Sequence, residues 1–372
     1  MKILVLNYEF PPLGGGAAPV SRDLSGYLRK QGHEVTVVTM GFKGLPSYEE
    51  IQGVKIHRLA CIRKSKSSCK PWEQLSYLLA VRRFMKQYMQ DHNFDVCHTH
   101  FVIPTGEAAR WVKKKYHIPY IITAHGSDVE GHNQKVSMKV MHRVLRSSWR
   151  RIVKESSAVV SPSRYLMDLM NRNYPCDKYT FIPNGIEWDK WHALARPEYK
   201  KKKILVMGRL QKFKNVQMIL MALAKVDLGD WQVDVLGDGP YREQLEQLAE
   251  ELRLSEKIRF RGWIDNGTEE QLTYIREASL YISASQFENC PMSVIETAAA
   301  GCYLLLSDIP AHRQLIAEDE YYFRLEDVEG LEKKISEAMG DRDFGAGNEV
   351  NVARYDWRKI VEKYEGVLRR NI

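Results

Sequence analysis

The chain has 372 residues and no uninterrupted apolar run approaching the ~20 that a membrane-spanning helix needs. Its first residues, MKILVLNYEFPP, include Lys2 but no sustained hydrophobic core of a secretory leader, and read as a first strand. Cysteine is sparse. The six residues, at 61, 69, 97, 176, 290 and 302, form no CxxC pair and no framework spacing, the usage expected of reduced thiols in a cytosolic protein. The Gly-x-Gly-x-x-Gly loop of dinucleotide sites is absent, as are zinc-finger spacing and the aromatic sheet motif of RNA-recognition domains. His98 and His100 sit two apart on a strand pattern without a third ligand at suitable spacing, which points to packing rather than to zinc. The D-x-D at Asp341–Asp343 lies in a late polar segment and not at a strand end, and reads as a solvated loop. No metal and no cofactor is expected.

Hydrophobic residues make up 44% and charged residues 27% of the chain, which excludes disorder and predicts a soluble globular protein long enough for two domains. The formal charge of +8 is unevenly spread. Residues 1–185 carry 28 Lys and Arg against 14 Asp and Glu, and residues 186–372 carry 27 against 33. The basic half suits an anionic partner: nucleic acid, a membrane surface or a phosphorylated substrate.

Both halves alternate strand and helix patterns, as a parallel sheet requires. KILVLNY leads to Gly14, Gly15 and Gly16, then to a helix with Val20, Leu24 and Leu28 on one face, and EVTVVTM is the next strand. DVCHTHF (95–101), YIITAH (120–125) and SAVVSPS (157–163) continue the series. After IPNGI (182–186) and the charged run 196–203 the pattern restarts with KILVMGRL, WQVDVLG, KIRFRG, LYISAS and CYLLLSD. The expected architecture is α/β: residues 1–185 and 186–372 as two Rossmann-like domains facing across a cleft, with a final helix at about 356–371 crossing back to the first.

In SASQFENCPMSVIETAAAGCYLLLSD (283–308), Glu296 is the one charged residue between Glu288 and Asp308. Pro291 suits a helix start and Gly301 a helix stop, giving strand, loop, helix, strand. Glu288 then lies in a loop at the carboxyl end of a strand, where open α/β sheets bind ligands. A carboxylate accepts hydrogen bonds only, so Glu296 needs a donor pair such as a vicinal diol, or else an Arg or Lys. Arg209 and Lys214 follow another strand end; in a loop alone they would equally suit a solvated face.

The glycine loop after the first strand, TAHGSD (123–128), VSPS (160–163), IPNG (182–185), GRLQKFKN (208–215), GDGP (237–240) and E-x₇-E at Glu288 and Glu296 occur in that order. The ordered set covers nearly the whole chain and resembles the retaining glycosyltransferases of family 4, which have the GT-B fold. The resemblance implies transfer of a sugar from a nucleotide-diphosphate sugar, UDP or GDP being the expected carrier, to a glycan, glycolipid or other glycoconjugate. It assigns Arg209 and Lys214 to the donor diphosphate, His125 to the neighbourhood of the donor sugar and Glu288 to the sugar's hydroxyls. Glu296 would hold the ribose. Gly16, or Gly15, would let the main chain approach the donor phosphate, and the amides of Asn289, Cys290, Pro291 and Met292 would help hold the sugar. A GT-B phosphorylase or a nucleotide-sugar epimerase shares the fold, and a nucleic-acid-binding protein is the reading from another class.

Two departures stand out. Asn215 follows Lys214 where many relatives have Gly, and Asn-Cys-Pro follows Glu288 in place of the commoner Gly-Phe-Gly, so no sugar preference carries over. Residues 136–154 place Val136, Val140, Val144 and Trp149 among Lys139, Arg143, Arg146, Arg150 and Arg151, and CIRKSKSSCKPW (61–72) adds further cations. Such a helix suits either an ordinary core or an anionic membrane surface. The expected location is cytoplasmic, with a peripheral place on the inner face of the membrane as a candidate.

Overall fold

The structure, a computed structural model, describes residues 1–66, 68–132, 136–340 and 352–372. Asp341 and Asp343 lie outside the described residues. The chain divides into one unit of Met1–Gly185 with Trp357–Ile372, and a second of Ile186–Asp356. The segment Trp357–Ile372 adds five cations and two carboxylates to the first unit, which carries a net +17 against −9 for the second.

The first unit holds eight strands: β1 (Lys2–Leu6), β2 (Glu34–Met40), β3 (Tyr48–Ile51), β4 (Val54–Leu59), β5 (Val96–His100), β6 (Tyr120–Thr123), β7 (Ala158–Ser161) and β8 (Tyr179–Phe181). Their order is β3-β4-β2-β1-β5-β6-β7-β8, parallel except for the β3–β4 hairpin. Alternate side chains of the central strand serve two cores, as a period of two demands. Ile3 and Val5 pack with Val20, Leu24 and Leu28 and with Trp357, Ile360 and Tyr364 of the final helix Trp357–Arg369. Leu4 and Leu6 pack on the other side with Tyr77, Val81, Met85, Val112 and Ile152. Trp357 is fully buried, lies against Gly185 and stacks on Tyr27 at 6.1 Å, which fastens the last helix to this unit.

The second unit is a six-stranded parallel sheet of β9 (Lys201–Met207), β10 (Gln232–Leu236), β11 (Ile258–Gly262), β12 (Ala278–Ser283), β13 (Tyr303–Ser307) and β14 (Tyr322–Phe323), ordered β11-β10-β9-β12-β13-β14. Its strands are covered on both faces, so they read as near-continuous apolar runs such as ILVM and YLLL. The chain leaves β9 towards β10 on one side and later returns with β12 on the other. That reversal opens a crevice at the carboxyl ends of β9 and β12. The first unit has the same reversal between β1 and β5.

Candidate active site

The loops leaving β9 and β12 meet at this reversal point. Gln286 N–H donates to Phe213 C=O at 2.8 Å, and the rings of Phe213 and Phe287 stack at 4.3 Å. The two contacts bring Lys214 to Glu288, and the pair forms a salt bridge with side chains 21% and 13% exposed. Ser285 Oγ donates to the same carboxylate at 2.8 Å. Burial raises the Glu288 pKa, but the Lys214 charge and hydrogen bond, His312 and Ser285 outweigh it and hold the carboxyl below its usual range. Arg209 stands exposed two residues after β9. The Lys214–Glu288 pair therefore sits at one strand-end crevice, with Arg209 on the loop that leads from β9 to it.

The departure at Asn215 has a structural account. Its φ is +56°, the left-handed region that glycine enters freely and that asparagine tolerates better than other side chains. Asn215 thus preserves the turn that presents Lys214. On the neighbouring strand, Gly237 must be glycine: a Cβ there would stand 2.0 Å from Gly208 O. The GDGP segment is in this way packed directly against the GRL turn, backbone to backbone.

Pro291 caps the helix Met292–Ala299, and Gly301, at φ +74°, follows its end. One expectation needs correction. Pro291 has no N–H, so this turn can present only the amides of Asn289, Cys290 and Met292 to a ligand. Glu296 lies half-buried inside the helix. The buried Tyr281 phenol, which donates to Ser293 Oγ at 2.8 Å, is pushed up by burial and further by both Glu288 and Glu296. The two carboxylates therefore share one neighbourhood.

Sequence reasoning passed over the groups behind Glu288. His312, fully buried, has Nδ1 2.8 Å from Ser307 C=O, to which it donates, so Nε2 faces the Ser283 hydroxyl at 3.4 Å as an acceptor. Burial keeps the imidazole's pKa low. Ser307 Oγ in turn donates to Ser285 C=O at 2.6 Å. Ser283 ends β12, Ser285 follows it, Ser307 ends β13 and His312 lies in the helix Pro310–Leu315, and together they hold the Glu288 loop from behind. The only signal in the sequence was the place of the serines at the ends of β12 and β13.

In the first unit, His125 follows β6. Its backbone N–H and that of Gly126 donate to Asp128 Oδ1 at 3.0 Å each, and Val102 N–H donates to Asp128 Oδ2 at 2.6 Å. Asp128 orients the loop. The His125 Nε2 lies 3.0 Å from His100 Nδ1, and His98 Nε2 lies 2.8 Å from Thr123 Oγ1. Burial lowers the His98 and His125 pKa values to about 3, and that of His100 well below normal. Gly14 N–H donates to Lys66 C=O at 2.7 Å and Gly15 N–H to Glu9 Oε2 at 3.4 Å. Gly16 stands at the N-terminus of the helix Ala17–Lys30 with open space where a Cβ would project. Among the described residues no group of three His, Cys, Asp or Glu could hold a metal.

The histidines carry a stability prediction. Their folded pKa values lie below the unfolded value near 6.5, so the unfolded chain binds more protons. Their contribution is complete above pH ~6.5 and is lost as pH falls towards ~3, at up to roughly 1.4 kcal/mol per pH unit for each histidine. Denaturant midpoints between pH 7.5 and 5 should fall with this sign, and His98→Gln should flatten the slope. An unchanged slope in that variant would remove His98 from the account.

A model described as Glycosyltransferase Family 4 matches residues 14–190, and one described as Glycosyl transferases group 1 matches residues 189–353. The chain belongs to glycosyltransferase family 4. It is 26% identical over 355 residues to the alpha-monoglucosyldiacylglycerol synthase of Streptococcus pneumoniae, covering 89% of this chain and 77% of that protein. It is 23% identical over 379 residues to the N-acetyl-alpha-D-glucosaminyl L-malate synthase of Bacillus anthracis, covering 96% and 94%. The fold matches sucrose-phosphate synthase of Thermosynechococcus elongatus with a TM-score of 0.79 at 18% identity, covering 100% and 99%. Anabaena HepE in complex with UDP-glucose matches at 0.76 and 15% identity, covering both chains completely. This glycosyltransferase is therefore an enzyme of the GT-B fold. Among the described residues no helix is long and apolar enough to cross a membrane.

Proposed function

We propose that this glycosyltransferase moves a sugar from a nucleotide-diphosphate sugar to a glycan, glycolipid or other glycoconjugate, with retention and without a metal. The observation that carries the reading is the Lys214–Glu288 pair at the β9/β12 reversal, with Arg209 on the same loop after β9 and Glu296 in the following helix. As the anomeric carbon–oxygen bond breaks, the departing diphosphate gains negative charge, which Arg209 and Lys214 would stabilise in place of a metal. Glu288 and the Asn289–Met292 turn would hold the sugar, Glu296 the ribose, Gly15 or Gly16 the donor phosphate, and His125 the sugar's edge. On this reading none of the carboxylates assigned to the site acts as a double-displacement nucleophile. The acceptor oxygen would attack the face that the leaving group departs from, its proton passing to a donor phosphate oxygen.

HepE in complex with UDP-glucose makes uridine the first nucleotide to test. The diacylglycerol in the name of the streptococcal relative supports a lipid-linked acceptor and an anionic membrane surface as the place it is met. Cytoplasmic placement, peripheral on the inner face, fits that acceptor. The discriminating experiment is a thermal-shift screen of UDP-, GDP- and ADP-sugars in excess chelator. A cognate sugar at about 100 times its Kd should stabilise the fold by roughly 2.7 kcal/mol. NMR of the product's anomeric centre then reads retention or inversion. Stabilisation or turnover that appears only with divalent metal would overturn metal independence.

A further inference from the structure

We propose that residues 62–66 and the helix Pro71–Tyr88 of the first unit form a docking surface for an anionic lipid bilayer. Four large apolar side chains stand out from this surface: Ile62, Trp72, Leu75 and Leu79 are 57%, 55%, 56% and 58% exposed. At 100° per residue, positions 72, 75 and 79 fall on one helix face, and Arg83 and Lys86 continue it. The opposite face buries Tyr77, Val81 and Met85 in the core. The helix is thus apolar on two sides, and only one of them is covered by the fold.

The charges around the stripe all have one sign at the surface. Lys64, Lys66, Lys70, Arg83 and Lys86 are exposed. From residue 60 to residue 90 the sequence has one carboxylate, Glu73, and it is 1% exposed. Glu73 accepts the N–H groups of Lys64 at 3.0 Å and of Lys70 at 2.7 Å, while Ser76 Oγ accepts that of Ile62 at 3.0 Å. Arg63 turns inward and donates to the carbonyls of Tyr8, Ser65 and Lys66 at 2.9 Å each. The segment is therefore fixed against the helix with Ile62, Lys64 and Lys66 turned outward.

This combination selects the partner. A second copy of the chain would bring the same cations face to face. A nucleic acid would answer the cations and leave Ile62, Leu75 and Leu79 in water. A bilayer answers both: its anionic headgroups meet the lysines and arginines, whose stems reach outward, while Trp72 and the aliphatic side chains enter the acyl boundary. The helix Val136–Glu155 is a weaker candidate. It exposes Val140 and Val144, but Trp149 is buried with Nε1 donating to Asp128 C=O at 2.8 Å, and Arg146 is paired with Glu130. The docking segment also touches the glycine loop through Lys66 C=O and Gly14 N–H. On the transferase reading above, a lipid-borne acceptor would be delivered beside that loop.

The test is flotation of the full chain with phosphatidylcholine vesicles made with and without phosphatidylglycerol, at low and high salt. Flotation should need phosphatidylglycerol and fall at high salt. Leu75→Asp/Leu79→Asp should weaken it at least about tenfold, as should Lys64→Glu/Lys66→Glu/Lys70→Glu, while Val140→Asp/Val144→Asp leaves it within about twofold. Both loss variants should keep the thermal shift given by the cognate nucleotide sugar, so a folding defect or a failed donor assignment reads out separately. The proposal is overturned by flotation without phosphatidylglycerol, by sensitivity only to the Val140/Val144 change, by self-association that Leu75→Asp/Leu79→Asp abolishes, or by duplex-DNA binding without flotation.

Discussion

Alanine at Lys214 should lower turnover roughly 10²–10³-fold, the scale of losing one strong electrostatic donor to a developing anion. Arg209→Ala should cost a similar factor, yet the two variants should differ in stability. Arg209 is exposed, so its removal should leave the fold within about 0.5 kcal/mol. Lys214 neutralises the largely buried Glu288. Its removal leaves that charge with Ser285 and a neutral His312, at a cost on the order of 2 kcal/mol, below the ~3–5 of fully buried pairs because both side chains keep some water contact.

The pH dependence separates these effects. In the parent, the Glu288 pKa is held below the unfolded value, so the pair's contribution is present above pH ~4.5 and lost as pH falls through the folded pKa. Without Lys214, burial dominates and the folded pKa rises above the unfolded one. The variant's penalty then grows as pH rises past ~4.5. Denaturation of parent and Lys214→Ala should diverge at pH 7 and converge near pH 4. A gap independent of pH would place the loss elsewhere. Near-normal turnover in both single variants would remove the two cations from the chemistry.

Much of this arrangement is legible in the sequence because buried parallel strands are short apolar runs. KILVMG and LYISAS announce themselves, and Pro291 and Gly301 bracket the helix carrying Glu296. The β3–β4 hairpin is harder to see. Its turn uses positive φ at both Gln52 and Gly53, and only the glycine hints at it. Trp149 illustrates how a ladder misleads. It lies five residues after Val144, about 140° round a helix, and so joins Ile152 and Val153 in the core instead of extending the exposed valines. The helix Pro71–Tyr88 escapes notice because apolar residues on opposite faces blur a period of 3.6. His312, Ser307 and Ser285 form a unit only through hydrogen bonds that join the ends of β12 and β13 to the helix Pro310–Leu315, which no local pattern records.

The two glutamates should separate binding from turnover. Glu296→Gln keeps the side chain's shape but removes the charge that strengthens hydrogen bonds to a ribose diol. Free nucleoside diphosphate should bind roughly 10-fold more weakly, the scale of one charge-assisted bond at about 1.5 kcal/mol. Glu288→Gln should instead lower turnover by roughly 10²-fold while the diphosphate binds as tightly as before, or more tightly. The second outcome follows from the salt bridge: Glu288 occupies Lys214, and a phosphate must compete with it. A neutral amide releases the lysine, so the nucleotide gains a cation while the sugar loses its carboxylate. Calorimetry of nucleoside diphosphate binding and steady-state kinetics with the intact donor measure the two quantities on the same variants. Equal diphosphate affinity in parent and Glu296→Gln would remove that residue from the ribose. Weaker diphosphate binding in Glu288→Gln would show that the carboxylate positions Lys214 for the phosphate rather than competing with it.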